Sequence, residues 1–267
     1  MTSHSVRRRR PAAAYAVILL GLVLMGGLFA VLSPQRTEAS ETTASGTDLV
    51  DEGRELFLTN CSTCHGLQAQ GSSDGPPLVG VGAASVDFQV GTGRMPAYSS
   101  QVVQVPKAKR VFTQDEIDAM AAYVASLGPG PSIPEPELYE VQDVEDEQIA
   151  EGGELFRTNC AMCHNASGAG GALTEGKYAP SLAGVDPKYV YEAMLTGPQS
   201  MPVFSEASLT AEEKKHVVAY LEQIQNQPEY GGVTLGRVGP VSEGLFIWIV
   251  GIGGLIAVAV WLGAKSH

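Results

Sequence analysis

The ten residues Glu52-Gly53-Arg54-Glu55-Leu56-Phe57-Leu58-Thr59-Asn60-Cys61 recur 99 residues later as Glu151-Gly152-Gly153-Glu154-Leu155-Phe156-Arg157-Thr158-Asn159-Cys160. Eight of the ten positions match. An internal repeat of this quality means two copies of one structural unit. The copies stay parallel beyond the match. Cys61-Ser62-Thr63-Cys64-His65 has its counterpart in Cys160-Ala161-Met162-Cys163-His164, and Pro76-Pro77-Leu78-Val79-Gly80-Val81 in Pro180-Ser181-Leu182-Ala183-Gly184-Val185. Arg94-Met95-Pro96 corresponds to Ser200-Met201-Pro202. Each unit closes on a predicted helix. Thr113-Gln114-Asp115-Glu116 and Thr210-Ala211-Glu212-Glu213 are capping boxes, and apolar residues follow at helical spacing: Ile117, Met120, Ala121, Val124 and Leu127, then Val217, Val218, Leu221 and Ile224. Gly128-Pro129 stops the first of these helices.

All four cysteines of the chain fall in the two C-x-x-C-H pentads. That pattern is the attachment signature of c-type haem. Two thiols on one helical turn are spaced to add across the two vinyl groups, and the adjacent His, 65 or 164, reaches the iron as its proximal ligand. The competing readings of a C-x-x-C are a redox dithiol or half of a zinc site. A dithiol does not require the following His, and a four-Cys zinc site would have to draw two repeat units together. No cysteine is left over for a disulfide framework. Two covalently bound haem c groups are therefore expected, on Cys61 and Cys64 and on Cys160 and Cys163.

The opposite face of each iron needs a second ligand. Met95 and Met201, each followed by Pro and each lying between the pentad and the last helix, are the candidates; a thioether there raises the reduction potential. Met120 and Met194 sit at apolar positions of predicted helices and read as core fillers, and Met162 lies inside a pentad. His216 reads as an exposed surface residue in the run Lys214-Lys215-His216, so bis-His ligation is not expected. The copies differ in loop length. Thirty residues separate His65 from Met95 and 37 separate His164 from Met201; 18 residues then lead to Thr113 but only nine to Thr210. Such insertions are expected on the surface.

Two uncharged apolar stretches bracket the repeats, 12–32 and 244–263. At 21 and 20 residues, each is long enough to cross a hydrocarbon core as a helix. The first also admits a cleaved signal peptide, although such a core is usually about 7–15 residues. In the second, Gly251, Gly253 and Gly254 suit close packing in lipid, and Trp248 and Trp261 lie near its ends. Arg7 to Arg10 before the first span and Lys265 after the second place both termini in the cytoplasm and the haem domains outside. The net charge is −12, and those five basic residues leave only 12 of 17 for the middle of the chain. A strongly acidic exterior excludes nucleic acid as a partner.

The expected order is a basic tail (1–11), a transmembrane helix (12–32), a tether (33–47), a first haem domain (48–128), a Pro- and Glu-rich linker (129–147), a second haem domain (148–227), a tether (228–243), a second transmembrane helix (244–263) and a tail (264–267). The fold class is all-α. The linker, with GPGPSIPEPELYE within it, reads as an extended, semi-rigid spacer. Domains of this size have thin apolar cores, and a covalently fixed haem supplies part of what is missing.

Each unit resembles a class I cytochrome c. The resemblance implies that Gly53 and Phe57, like Gly152 and Phe156, pack the first helix against the last near Tyr123 and Tyr220. It also implies that the Pro76 and Pro180 carbonyls orient His65 and His164. The whole chain is similar to the dihaem cytochrome c subunit of actinobacterial cytochrome bc complexes, in its two spans, its two haem domains and the segments TGRMPA (92–97), GGALTEGKYAPSLAG (170–184) and MLTGPQSMPVF (194–204). That resemblance implies a menaquinol–cytochrome c reductase with a cytochrome b and a Rieske iron–sulfur protein as partners. Electrons would then pass directly to a haem–copper oxidase. The alternatives are a dihaem subunit of another membrane oxidase or dehydrogenase, and a dihaem peroxidase, against which two Met ligands argue.

Overall fold

The computed structural model describes residues 11–32, 46–98, 103–226 and 244–265. The tethers and both tails fall almost wholly outside these. By compactness the chain separates into Met1–Ala44 and Ser45–His267. The first unit holds one helix, α1 (Pro11–Leu32). Tyr15–Gly27 is the apolar stretch of its described side chains.

The second unit is mostly helical and contains both repeats. In the first repeat, α2 (Gly46–Asn60) runs into the one-turn α3 (Ser62–His65), followed by α4 (Ala83–Gly91) and α5 (Gln114–Ser126). In the second, α6 (Asp146–Asn159) runs into α7 (Ala161–His164), followed by α8 (Pro187–Thr196) and α9 (Ala211–Asn226). Among the described residues, the one departure from all-α is a two-residue antiparallel pair, β1 (Gly171–Ala172) with β2 (Tyr178–Ala179). Both predicted capping boxes form. Thr113 Oγ1 accepts from the Glu116 amide while the Thr113 amide donates to the Glu116 carboxylate at 2.8 Å. Thr210 and Glu213 do the same at 2.7 and 3.2 Å.

Each repeat is built on a crossing of its first and last helices, α2 on α5 and α6 on α9. Glycine sets how close they come. A Cβ on Gly53 would lie 1.9 Å from the Ala119 carbonyl oxygen, and one on Gly152 would lie 1.9 Å from that of His216. Alanine in a helix gains about 1 kcal/mol over glycine in propensity. Overpacking against rigid backbone costs about 1–3 kcal/mol or more, so the clash wins and glycine stays. One turn on, Phe57 meets Tyr123 with ring centroids 5.2 Å apart, and Phe156 meets Tyr220 at 5.6 Å. These are the helix contacts that the cytochrome c resemblance implies.

The two repeats pack directly on each other, and here the structure departs from the expectation of a spacer. Gly128 and Gly130 lie against Gly80 and Gly82, and a Cβ on Gly130 would lie 2.4 Å from the Gly82 amide nitrogen. The Pro131 carbonyl accepts the Ala84 amide at 3.1 Å. After a single 3-10 turn at Pro136–Leu138, Leu138, Tyr139 and Val141 pack on the second repeat's core. The linker is docked along both domains, and α4 then sits against α8. The Phe88 and Tyr189 rings meet edge-on at 6.3 Å.

The last helix, α10 (Gly244–Lys265), is long and apolar enough to cross a membrane. It contains a π-helical turn at Ile247–Ile252. Its apolar side chains are exposed, including both tryptophans, and Lys265 lies over the Trp261 ring at 4.4 Å.

Candidate functional site

Both pentads sit at the kink between a long helix and a one-turn helix. The Cys61 amide still bonds the Phe57 carbonyl at 2.8 Å, and the His65 amide reaches the Cys61 carbonyl at 3.0 Å. Cys160 and His164 repeat these bonds at 2.9 Å each. Each pair of cysteines therefore shares one turn with its histidine at the end. The loop that follows folds back on the pentad: the Gly71 amide donates to the His65 carbonyl and the Gly170 amide to that of His164, each at 2.8 Å. Both glycines have positive φ, +83° and +84°, and a Cβ on either would press on the following Pro segment. A glycine six residues after each His is the sequence signal for this matched pair.

The loop brings a proline carbonyl to each imidazole. His65 Nδ1 donates to the Pro76 oxygen at 2.8 Å, and His164 Nδ1 donates to the Pro180 oxygen at 3.0 Å. Fixing the proton on Nδ1 leaves the Nε2 lone pair available, the second-shell arrangement a metal-bound imidazole uses. Burial holds the His164 pKa down against the Pro180 bond, which favours the neutral ring that can ligate.

In the second domain, Cys160, Cys163, His164 and Met201 all line one cavity of about 360 Å³. That is within the range of small-molecule and cofactor sites. In the first domain, Cys61 and Met95 border the same apolar cluster of Val90, Ile117 and Met120, and His65, one helical turn after Cys61, is buried. Met120 and Met194 are buried in the cores as expected, and Met162 is 85% exposed between its two cysteines. None of the cysteines is in a disulfide. As free thiols, Cys61 and Cys160 are pushed up to about 11 by burial and then by the neighbouring Cys64 and Cys163. A redox dithiol needs the opposite, a lowered pKa. Among the described residues no group of three or more His, Cys, Asp or Glu is placed to hold a metal ion. The donor set fits an attached haem better than a dithiol or zinc.

The "Cytochrome c" family matches residues 50–128, and the family "Cytochrome C oxidase, cbb3-type, subunit III" matches residues 147–221. The "Cytochrome bc1 complex cytochrome c subunit" of Mycobacterium tuberculosis is 43% identical over 264 residues, covering 97% of this chain and 93% of its own length. The protein of the same name from Corynebacterium efficiens is 42% identical over 272 residues, covering 97% and 90%. The chain belongs to the family of cytochrome bc1 complex cytochrome c subunits. The cbb3-type oxidase subunit FixP of Rhizobium meliloti is 30% identical over 129 residues, 45% of this chain. The match covers 40% of that protein's own length. Two cytochrome c domains make this member of the family a haem c electron-transfer protein, a component of a membrane-bound respiratory quinol–cytochrome c reductase.

Sequence reasoning misplaced one run in this cytochrome c subunit. Lys214, Lys215 and His216 are buried, Lys214 completely, rather than exposed. Each has an acidic partner: Lys214 pairs with Glu206, eight residues before it, at 2.7 Å, Lys215 with Asp143 at 2.9 Å, and His216 Nδ1 meets the Glu151 carboxylate at 2.9 Å. His216 holds α9 to α6 and does not line the cavity.

A second buried cluster lies between the domains. Asp87 on α4 accepts Gln114 Nε2 at 2.9 Å and pairs with Lys188 on α8. Glu192, one turn along α8, is fully buried, and neither of its oxygens meets a donor. Two buried carboxylates facing one lysine share a proton. Burial, then Asp87, pushes Glu192 up to about 10. Burial also acts on Asp87, but hydrogen bonds from Glu192, Lys188 and Gln114 outweigh it and hold Asp87 low. Folding therefore binds a proton at Glu192, so stability falls as pH rises from about 4.5 toward about 10. Asp87 acts oppositely, its contribution being lost only as pH falls through the carboxylate range. A single fully linked proton gives a slope of up to about 1.4 kcal/mol per pH unit. Glu192→Gln, which keeps a donor toward Asp87 without a titrating proton, should flatten the decline in unfolding midpoint of the holoprotein between neutral and mildly alkaline pH. An unchanged slope in that variant would place the titrating group elsewhere.

Proposed function

We propose that the chain carries two covalent c haems and relays electrons through its two domains from a quinol-oxidising complex to a terminal oxidase. Cys61 and Cys64 hold the first haem with His65 and Met95 as axial ligands; Cys160 and Cys163 hold the second with His164 and Met201. Pro76 and Pro180 orient the two imidazoles. The observation that carries the reading is the duplicated His Nδ1 to Pro carbonyl bond beside each pentad. A bound haem iron supplies reversible one-electron exchange, and the axial thioether biases it toward the reduced state. Pro76 and Pro180 fix the imidazole tautomers, and Phe156, Val190, Leu221 and their neighbours exclude water. With Met95 and Met201 holding the iron opposite each His, no position would be left for a peroxide, which disfavours the peroxidase reading.

The partners we propose are a cytochrome b, a Rieske iron–sulfur protein as donor and a haem–copper oxidase as acceptor. Both apolar segments, 12–32 and 244–263, cross the membrane, with both termini cytoplasmic and the haem domains outside. The chain itself is a carrier within the enzyme complex. Two haems per chain should appear in the mass of the purified mature protein and in its pyridine haemochrome. Cys160→Ala with Cys163→Ala should remove one of them and leave the other. Retention of both covalent haems in that double variant would sink the assignment.

A further inference from the structure

The 18-residue interval between Met95 and Thr113 is where the two haem domains differ, and the structure gives it a destination. Within it, Gln104 and Val105 lie against the second domain. Gln104 clasps the backbone of Tyr178, donating from Nε2 to its carbonyl at 2.7 Å and accepting its amide at 2.8 Å. From the other side, Gln199 Nε2 donates to the Val105 carbonyl at 3.1 Å. Arg94, Gln104, Val105 and Lys107 thereby become walls of the cavity that holds Cys160, Cys163, His164 and Met201.

The charges along that cavity are unevenly shared. Among the described residues its cations are Arg94 and Lys107, both from the first domain, whereas the charge the second domain contributes is an anion, Asp186. A c-type haem brings two propionate carboxylates. The second domain's own described lining has no cation to neutralise them, and carboxylates held out of water need a paired cation. Arg94 is built for the task. Its guanidinium is held over the Phe88 ring at 4.9 Å, and Nη1 donates to Thr92 Oγ1 at 2.6 Å. A guanidinium has five N–H donors, and the planar fork matches a carboxylate. Lys107 is exposed at the cavity mouth, where solvent screens it.

Resting on the haem reading of the second domain, we infer that the first domain completes the second haem's site, with Arg94 and Lys107 as the counter-charges of its propionates. Arg94 adjoins Met95, so one short segment supplies the first iron's ligand and the second haem's cation. Domain docking is then a condition for the second haem's working potential, and separation of the domains would lower it.

Removing a positive charge beside a haem favours the ferric form. In redox titrations of the purified holoprotein, Arg94→Gln should shift the oxidised-to-reduced ratio of the second-domain haem about tenfold toward oxidised at fixed potential, about 59 mV for one electron. Arg94→Lys should recover most of the shift. Lys107→Glu, at an exposed position that leaves packing intact, should move the same haem in the same direction by a smaller factor. The second-domain component is identified by its response to Met201→Ala. The propionate-bending bands in resonance Raman spectra should move with the Arg94 and Lys107 variants. An unmoved second-domain potential, with unmoved propionate bands in both the Arg94→Gln and the Lys107→Glu proteins, would overturn the inference. Only one covalent haem in the wild-type protein would instead overturn the underlying haem reading.

Discussion

Membranes in which His164→Gly replaces the native chain should lose quinol-driven oxygen consumption to the background of the assay while the first-domain haem is still reduced by quinol. The imidazole is the proximal ligand on our reading, and its Nδ1 bond to the Pro180 carbonyl suits that role. Without it, the second domain has no redox-competent iron. The mirror variant, His65→Gly, should abolish reduction of both haems by quinol. The two outcomes differ only if the domains work in series with the first as the entry point. Parallel use of the haems would leave each variant with partial oxygen consumption, and a storage role would leave both with nearly full rates.

The next largest effect is expected at the thioethers. Met201→Ala should convert the second-domain haem from low-spin to high-spin and remove its long-wavelength sulfur-to-iron absorption, leaving the first domain's signal intact. Met95→Ala should do the converse. Axial ligands and their surroundings set haem potentials over about 0.8 V. Loss of the thioether should lower the affected potential by on the order of 0.1–0.2 V. Met194 makes a useful contrast, being a core residue 2% exposed on α8. Met194→Leu should leave both spectra unchanged. A double Met95→Ala, Met201→Ala protein that keeps both bands would rule out these ligands.

Much of this was legible in the sequence because it is local or duplicated. The helix crossings depend on Gly53 and Gly152 four residues before Phe57 and Phe156, a spacing that places small and large residues on one face. The capping boxes are readable within four residues. The pentads fix which thiols and which imidazoles belong together. What was not legible depends on contacts between distant residues. The interval after Met95 reads as an insertion, and nothing local says that Gln104 will pair with the Tyr178 backbone 74 residues on. The linker reads as a spacer because proline and glutamate dominate it, yet Gly128 and Gly130 allow it to lie against Gly80 and Gly82. Lys214, Lys215 and His216 look solvated by composition. They are buried because Glu206, Asp143 and Glu151 approach from three other places in the chain.

Docked domains, a shared second site and a long apolar C-terminal helix all suit a carrier that stays in place. Holding donor and acceptor close raises their effective concentration and removes the need for a diffusing cytochrome. The direct test is to purify the assembly on a tag fused to this chain, from native membranes in mild detergent, and measure oxygen consumption on quinol with no soluble cytochrome c added. The prediction is a complex containing cytochrome b, a Rieske protein and a haem–copper oxidase that consumes oxygen at a rate added cytochrome c does not raise. An assembly that oxidises quinol but consumes oxygen only after soluble cytochrome c is supplied would contradict it.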